Sequence, residues 1–172
     1  MVIPALVADA VTAPWRELHT WAGRLGMPAH VTLIPPFDSG SGSSAALVDA
    51  LRGATGSMSG FTVAFDEISH IPGRFIALQP SGPSPQLAAL DEAVRSAVRS
   101  TVPGAAPTTP FRPHITVGLG SLGADTPPIA AALRAREVPS VAVNEAWVME
   151  RLDDPGARWE IVARLPLASD YR

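Results

Sequence analysis

From Ile3 to Ala8 the chain is apolar and strand-like, and beyond it Trp15, Leu18, Trp21, Ala22 and Leu25 recur at helical spacing. Thr12 and Pro14 give that helix a start signal and Gly26 a stop. The segment HVTL, His30 to Leu33, reads as a strand that breaks at Pro35 and Pro36. A glycine- and serine-rich loop, DSGSGSS, leads into a short helix around Ala45 to Ala54, with Leu47 and Leu51 four apart. Two β-rich runs follow, FTVAFDEISHI and RFIALQP, joined by a tight turn through Pro72 and Gly73.

Ser84 and Pro85 open a second long helix whose Leu87, Leu90, Val94 and Val98 form one apolar stripe, and Pro103 closes it. Next come the strand HITV, a short helix near Ile129 to Arg136, a strand near Ser140 to Arg151, a DDPGA turn and a final strand RWEIVARLPL, about 158–167. The order strand, long helix, H-x-T-x strand, short helix, strand therefore occurs twice, over about 3–70 and about 74–151. The halves share little sequence outside the motif, so the repeat is one of architecture. It predicts two similar lobes within a single domain spanning 1–172, each donating one H-x-T-x strand.

Side chains of a strand alternate between faces, so His30 and Thr32 point one way while Val31 and Leu33 point the other. The same holds for His114 and Thr116 against Ile115 and Val117. Each strand is expected to bury its aliphatic face and offer an imidazole and a hydroxyl on the opposite one. If the lobes bring those polar faces together, two imidazoles and two hydroxyls line one cleft, a set suited to phosphoryl chemistry. One ring near its ordinary pKa of about 6.5 serves as neutral base while the other, charged beside a phosphate, serves as acid. The threonine hydroxyls can donate to non-bridging oxygens as charge builds there.

Composition narrows the alternatives. A chain of 172 residues, 47% hydrophobic, suffices for a sizeable core, and no apolar run approaches the roughly 20 residues of a membrane span. The first residues, MVIPALVADA, lack the basic leader and apolar core of a secretory signal, and cysteine is absent, so a cytoplasmic location is expected. Without cysteine or an HExxH or two-histidine-one-carboxylate spacing, no metal site is expected. A formal net charge of −3 argues against a long nucleic-acid duplex as partner but permits a small or terminal phosphate. His19, inside a helix, is read as a surface residue or partial helix-face contact, and His70, at a strand end with no threonine two residues on, as structural.

At these residues the chain resembles the two-histidine (2H) phosphoesterase superfamily, whose bacterial members are commonly labelled 2′-5′ RNA ligase-like or cyclic phosphodiesterases. PAHVTLIPPF is similar to the family's first motif, FRPHITVG to its second and VMERLDDPGARWEIVARLPL to its terminal hairpin. The resemblance implies an α+β, bilobed, pseudo-twofold fold with two antiparallel sheets facing a central groove and helices packed outside. It implies His30 as proton donor, His114 as proton acceptor, and Thr32 and Thr116 holding the phosphate of a cyclic nucleotide or RNA end. The implied reaction opens a 2′,3′-cyclic phosphate to a 2′-phosphomonoester, or runs as 2′-5′ ligation in reverse, with no metal or organic cofactor. Arg112, two residues before His114, is a further substrate-binding candidate if the strand extends through Pro113. Phe37 is a candidate for stacking on a base. The competing reading is a nucleotide-binding or sensing module that keeps the groove without turnover. Oligomeric state is left open, with a monomer favoured.

Overall fold

The structure, a computed structural model, describes residues 1–37, 45–137, 140–151 and 158–169. The DSGSGSS loop (38–44) and the DDPGA turn (153–157) lie outside the described residues. The chain opens with β1 (Val2–Pro4), α1 (Leu6–His19), α2 (Trp21–Arg24) and β2 (His30–Thr32). It continues through α3 (Ala45–Gly56), β3 (Phe61–Val63), β4 (Glu67–Ile71), β5 (Phe75–Gln79) and α4 (Pro85–Thr101). It closes with β6 (Ile115–Leu119), α5 (Thr126–Arg134), β7 (Val141–Val143), β8 (Glu145–Arg151) and β9 (Trp159–Pro166).

The first helix departs from the sequence pattern. It begins at Leu6 and runs through Pro14, so the opening strand ends at Pro4. Thr12 is no cap: its hydroxyl donates 2.8 Å to the Ala8 carbonyl one turn back, inside the helix. The capping threonine is Thr20, whose hydroxyl accepts from the Gly23 amide at 2.9 Å and starts α2. Gly26 ends that turn at φ 77°, a left-handed conformation that favours glycine. The expected apolar stripe is not the buried one, since Leu18 and Trp21 are 60% and 62% exposed. The buried face carries Ala8, Thr12 and Arg16, spaced by four.

The second long helix follows its pattern closely. Ser84 caps α4 by accepting from the Leu87 amide, and Leu87, Leu90, Val94 and Val98 are buried together. Asp91 and Arg95 are buried on the same helix. Both long helices thus sink an arginine into the protein.

Three antiparallel sheets result, in the orders β2-β1-β8-β9, β4-β5-β6 and β3-β7. Each motif strand lies at a sheet edge beside the strand that feeds its own long helix. Thr32 faces Val2 across β2 and β1, and Thr116 faces Ala77 across β6 and β5. The lobes exchange elements, however, because β4 joins the sheet of β6 while β8 and β9 join the sheet of β2. Helix α1 crosses in the same sense and packs against β6. One core runs through both lobes, from Ile3, Val31 and Leu33 to Leu78, Ile115 and Val117. The backbone closes tightly at Gly120, where an added Cβ would stand 2.0 Å from the Gly73 carbonyl oxygen.

Candidate active site

In the first motif, Val31 and Leu33 are buried at 1% exposure while His30 and Thr32 are only half-buried. On the second motif Ile115 and Val117 are fully buried, His114 is exposed and Thr116 half-buried. The polar face of each motif is therefore the open one. His30 Nδ1 lies 2.8 Å from the Pro28 carbonyl oxygen, and His114 Nδ1 lies 2.8 Å from that of Arg112. A carbonyl only accepts, so in the neutral ring Nδ1 carries the proton and Nε2 keeps its lone pair. Both rings use the same bond to the residue two places back, which leaves Nε2 as the nitrogen able to take up a proton in each.

β2 and β6 pack beside one another, and the two rings are close enough that charge on His114 disfavours charge on His30. Burial is the main force on His30, pushing its pKa down to about 4. The charges of Arg16, the N-terminal ammonium and His114 act in the same direction, and the bond to Pro28 opposes them. In the free protein at neutral pH, His30 is an uncharged imidazole.

A cavity of about 710 Å³ opens on His30 and Thr32. Its lining includes Trp21, Met27, Phe37 and Trp159, with Glu150 and Arg151 supplying charge. Phe37 thus stands at the cavity and also packs against the core. Arg112 does not join it: the residue is exposed and lines a separate cavity of about 410 Å³ with Phe111 and Pro113. The strand expected to carry Arg112 onto the face of His114 begins only at Ile115, since Pro113 interrupts the extended pairing. The contribution of Arg112 that the structure does show is its backbone carbonyl on His114. His19 contacts the Leu122 carbonyl through Nδ1 at 3.1 Å, and His70 Nε2 lies 2.8 Å from the Thr126 hydroxyl, so both have structural partners.

Nothing in the hydrophobic pattern announces Trp21, Trp159, Glu150 or Arg151 at this cavity, nor the role of Arg16. Arg16 is 3% exposed and reaches four residues with its guanidinium. Nη1 binds Asp9 Oδ1 at 2.8 Å, Nη2 binds the Met27 and Pro28 carbonyls at 3.2 and 2.9 Å, and Nε binds the Thr116 carbonyl at 3.2 Å. Among the described residues, no group of three or more His, Cys, Asp or Glu side chains is placed to hold a metal ion. Nor is any described helix long and apolar enough to cross a membrane.

Two sheets that each present an H-x-T-x edge strand, with helices around them, define the two-histidine phosphoesterase class. The model of the 2′-5′ RNA ligase superfamily matches residues 4–155, and the chain belongs to that family. Among solved structures it is similar to E. coli LigT complexed with 3′-AMP, at 22% identity and TM-score 0.60, over 97% of this chain and 95% of that one. The ATP complex of E. coli LigT aligns at 24% identity and TM-score 0.61 with the same coverage. TT0787 of Thermus thermophilus aligns at 17% identity and TM-score 0.61, over 99% of this chain and 97% of that one. These likenesses establish the fold. No curated protein matches the chain.

Proposed function

We propose that this protein is a phosphodiesterase that opens 2′,3′-cyclic phosphates of nucleotides or RNA ends to 2′-phosphomonoesters through paired histidine acid and base catalysis. The observation that carries this reading is the matched pair of rings, each tied through Nδ1 to the carbonyl two residues back, His30 on β2 and His114 immediately before the neighbouring β6. In the proposed reaction His114 Nε2 takes a proton from water, the water oxygen attacks phosphorus in line, and the bond from phosphorus to the 3′ ribose oxygen breaks. His30 Nε2 gives its proton to that oxygen. Thr32 and Thr116 hold the non-bridging oxygens, and the nucleoside occupies the cavity beside His30, where Phe37, Trp21 and Trp159 offer stacking faces. Ligation is the same path with the 5′-hydroxyl of a second RNA end in the place of water, His114 taking its proton and His30 again protonating the departing 3′ oxygen.

His30 can donate only after it has gained a proton, and the free protein withholds it. The negative charge of a bound cyclic phosphate supplies the missing stabilisation, so protonation of His30 is coupled to substrate binding. In the free protein the ring should stay neutral until the pH falls to about 4. Saturation with a nucleoside 2′-monophosphate should raise that midpoint by roughly one to three units, read from the ring nitrogen shifts by NMR. A midpoint that ignores the bound phosphate would remove His30 as the acid.

The direct test is turnover of the four nucleoside 2′,3′-cyclic monophosphates and of an RNA oligonucleotide ending in a cyclic phosphate, with and without a chelator. The expected product is the 2′-phosphomonoester, formed at the same rate in both conditions. Tight binding of nucleoside monophosphates with no turnover of any substrate would instead establish a sensing module.

A further inference from the structure

We propose that Arg16 is the positioning residue of this site, a buried strap that fixes the two motif strands relative to one another. The inference rests on the proposed reaction for its kinetic readout, but its geometry stands independently. Three of the guanidinium's bonds hold the first lobe: Asp9 Oδ1 and the carbonyls of Met27 and Pro28. The Pro28 oxygen is the same one that accepts from His30 Nδ1. Asp9 Oδ1 also accepts from the Ala29 amide at 2.8 Å, so every residue from Met27 to Ala29 is gripped immediately before His30. The fourth bond leaves the lobe: Nε donates to the Thr116 carbonyl, one hundred residues away on β6. A single rigid fork therefore touches the backbone of both motifs.

The chemistry favours arginine specifically. A charged group at 3% exposure is tolerated only when its donors are satisfied, and burial does pull against the Arg16 charge while Asp9 and Glu17 support it. A lysine keeps the charge, but its compact ammonium on a flexible stem cannot reproduce a planar fork that meets acceptors on opposite sides. The other long helix has a partial counterpart. Arg95 Nη1 binds the Pro107 and Thr109 carbonyls, both at 2.8 Å, in the segment leading to His114, and Arg95 Nε lies 2.6 Å from Asp91 Oδ2. Among the described residues Arg95 makes no bond across to the first motif, so of the two buried arginines Arg16 is the one that bonds to both.

The test is Arg16→Lys, with Asp9→Asn as a milder variant that keeps an acceptor for the Ala29 amide and serves if the lysine variant does not fold. Folded Arg16→Lys is expected to lose about 10²-fold in kcat with KM little changed, the cost of misplacing acid and base by about an ångström. Combined with His30→Ala it should cost only a few-fold more, because groups that act as a unit are not additive. The ring NMR signals of both His30 and His114 should move in Arg16→Lys, a readout independent of turnover. Wild-type kcat, a loss fully additive with His30→Ala, or ring signals that stay in place would each overturn the proposal. If the wild type turns over no cyclic phosphate, the reaction is wrong while the ring signals still decide the strap.

Discussion

Replacing His30 or His114 by alanine is expected to slow cyclic phosphate opening by about 10² to 10⁴, the range of a positioned general acid or base. The expectation is a chemical loss in a folded protein. His114 is exposed and its removal leaves no buried group unpaired. His30 is half-buried, but the Pro28 carbonyl that it binds keeps its bond to Arg16 when the ring is gone. The two variants should therefore unfold near the wild-type temperature while both lose kcat. The double variant should be little slower than the worse single one, because a donor without its acceptor has no proton path to complete. Near-normal turnover in both single variants would refute the proposed mechanism.

The open faces of the two motifs were legible in the sequence because they are set by short segments. Period-two alternation alone put His30 with Thr32 and His114 with Thr116 on open faces, and the burial of Val31, Leu33, Ile115 and Val117 shows the same alternation. What was not legible depends on distance. The sequence shows His30 as an ordinary imidazole on a strand, but its pKa is lowered, mainly by burial created by elements far along the chain. Arg16 was invisible for a related reason. Its partners are three backbone carbonyls and one carboxylate, and a backbone carbonyl leaves no mark in a pattern of side chains.

The first helix shows how a pattern can point to the wrong face. Trp15, Leu18, Trp21 and Leu25 look like a core stripe, yet α1 stops at His19 and Thr20 starts a separate turn, which throws Trp21 toward the cavity beside His30. The face that packs uses small and polar residues, because α1 lies close to β6 and its buried arginine must reach carbonyls. By contrast α4 buries the unbroken aliphatic stripe that its spacing predicts, behind the predicted Ser84 cap. The exchange of β4 and β8 between sheets had no local signal either, since strand pairing across the chain is chosen by the shape of the shared core.

Thr32→Val and Thr116→Val should each lower kcat by about 10²-fold, the cost of removing one preorganised donor from a developing negative charge. Valine keeps the β-branched shape and strand preference of threonine, so the strands and their buried faces persist and only the hydroxyl is lost. Among the described residues neither hydroxyl is engaged by another protein group, so no internal bond is broken by the change. The loss should appear in kcat more than in KM, because the non-bridging oxygens carry more charge in the transition state than in the bound diester. Thr→Ser at either position retains the donor and should recover most of the rate. Thr32, beside the cavity and across from Val2, and Thr116, whose carbonyl is held by Arg16, sit on two different sheets. A similar kcat loss at both would therefore mean that both strands grip one phosphate. A loss confined to one threonine would place the phosphate against a single strand and remove the symmetric part of the mechanism.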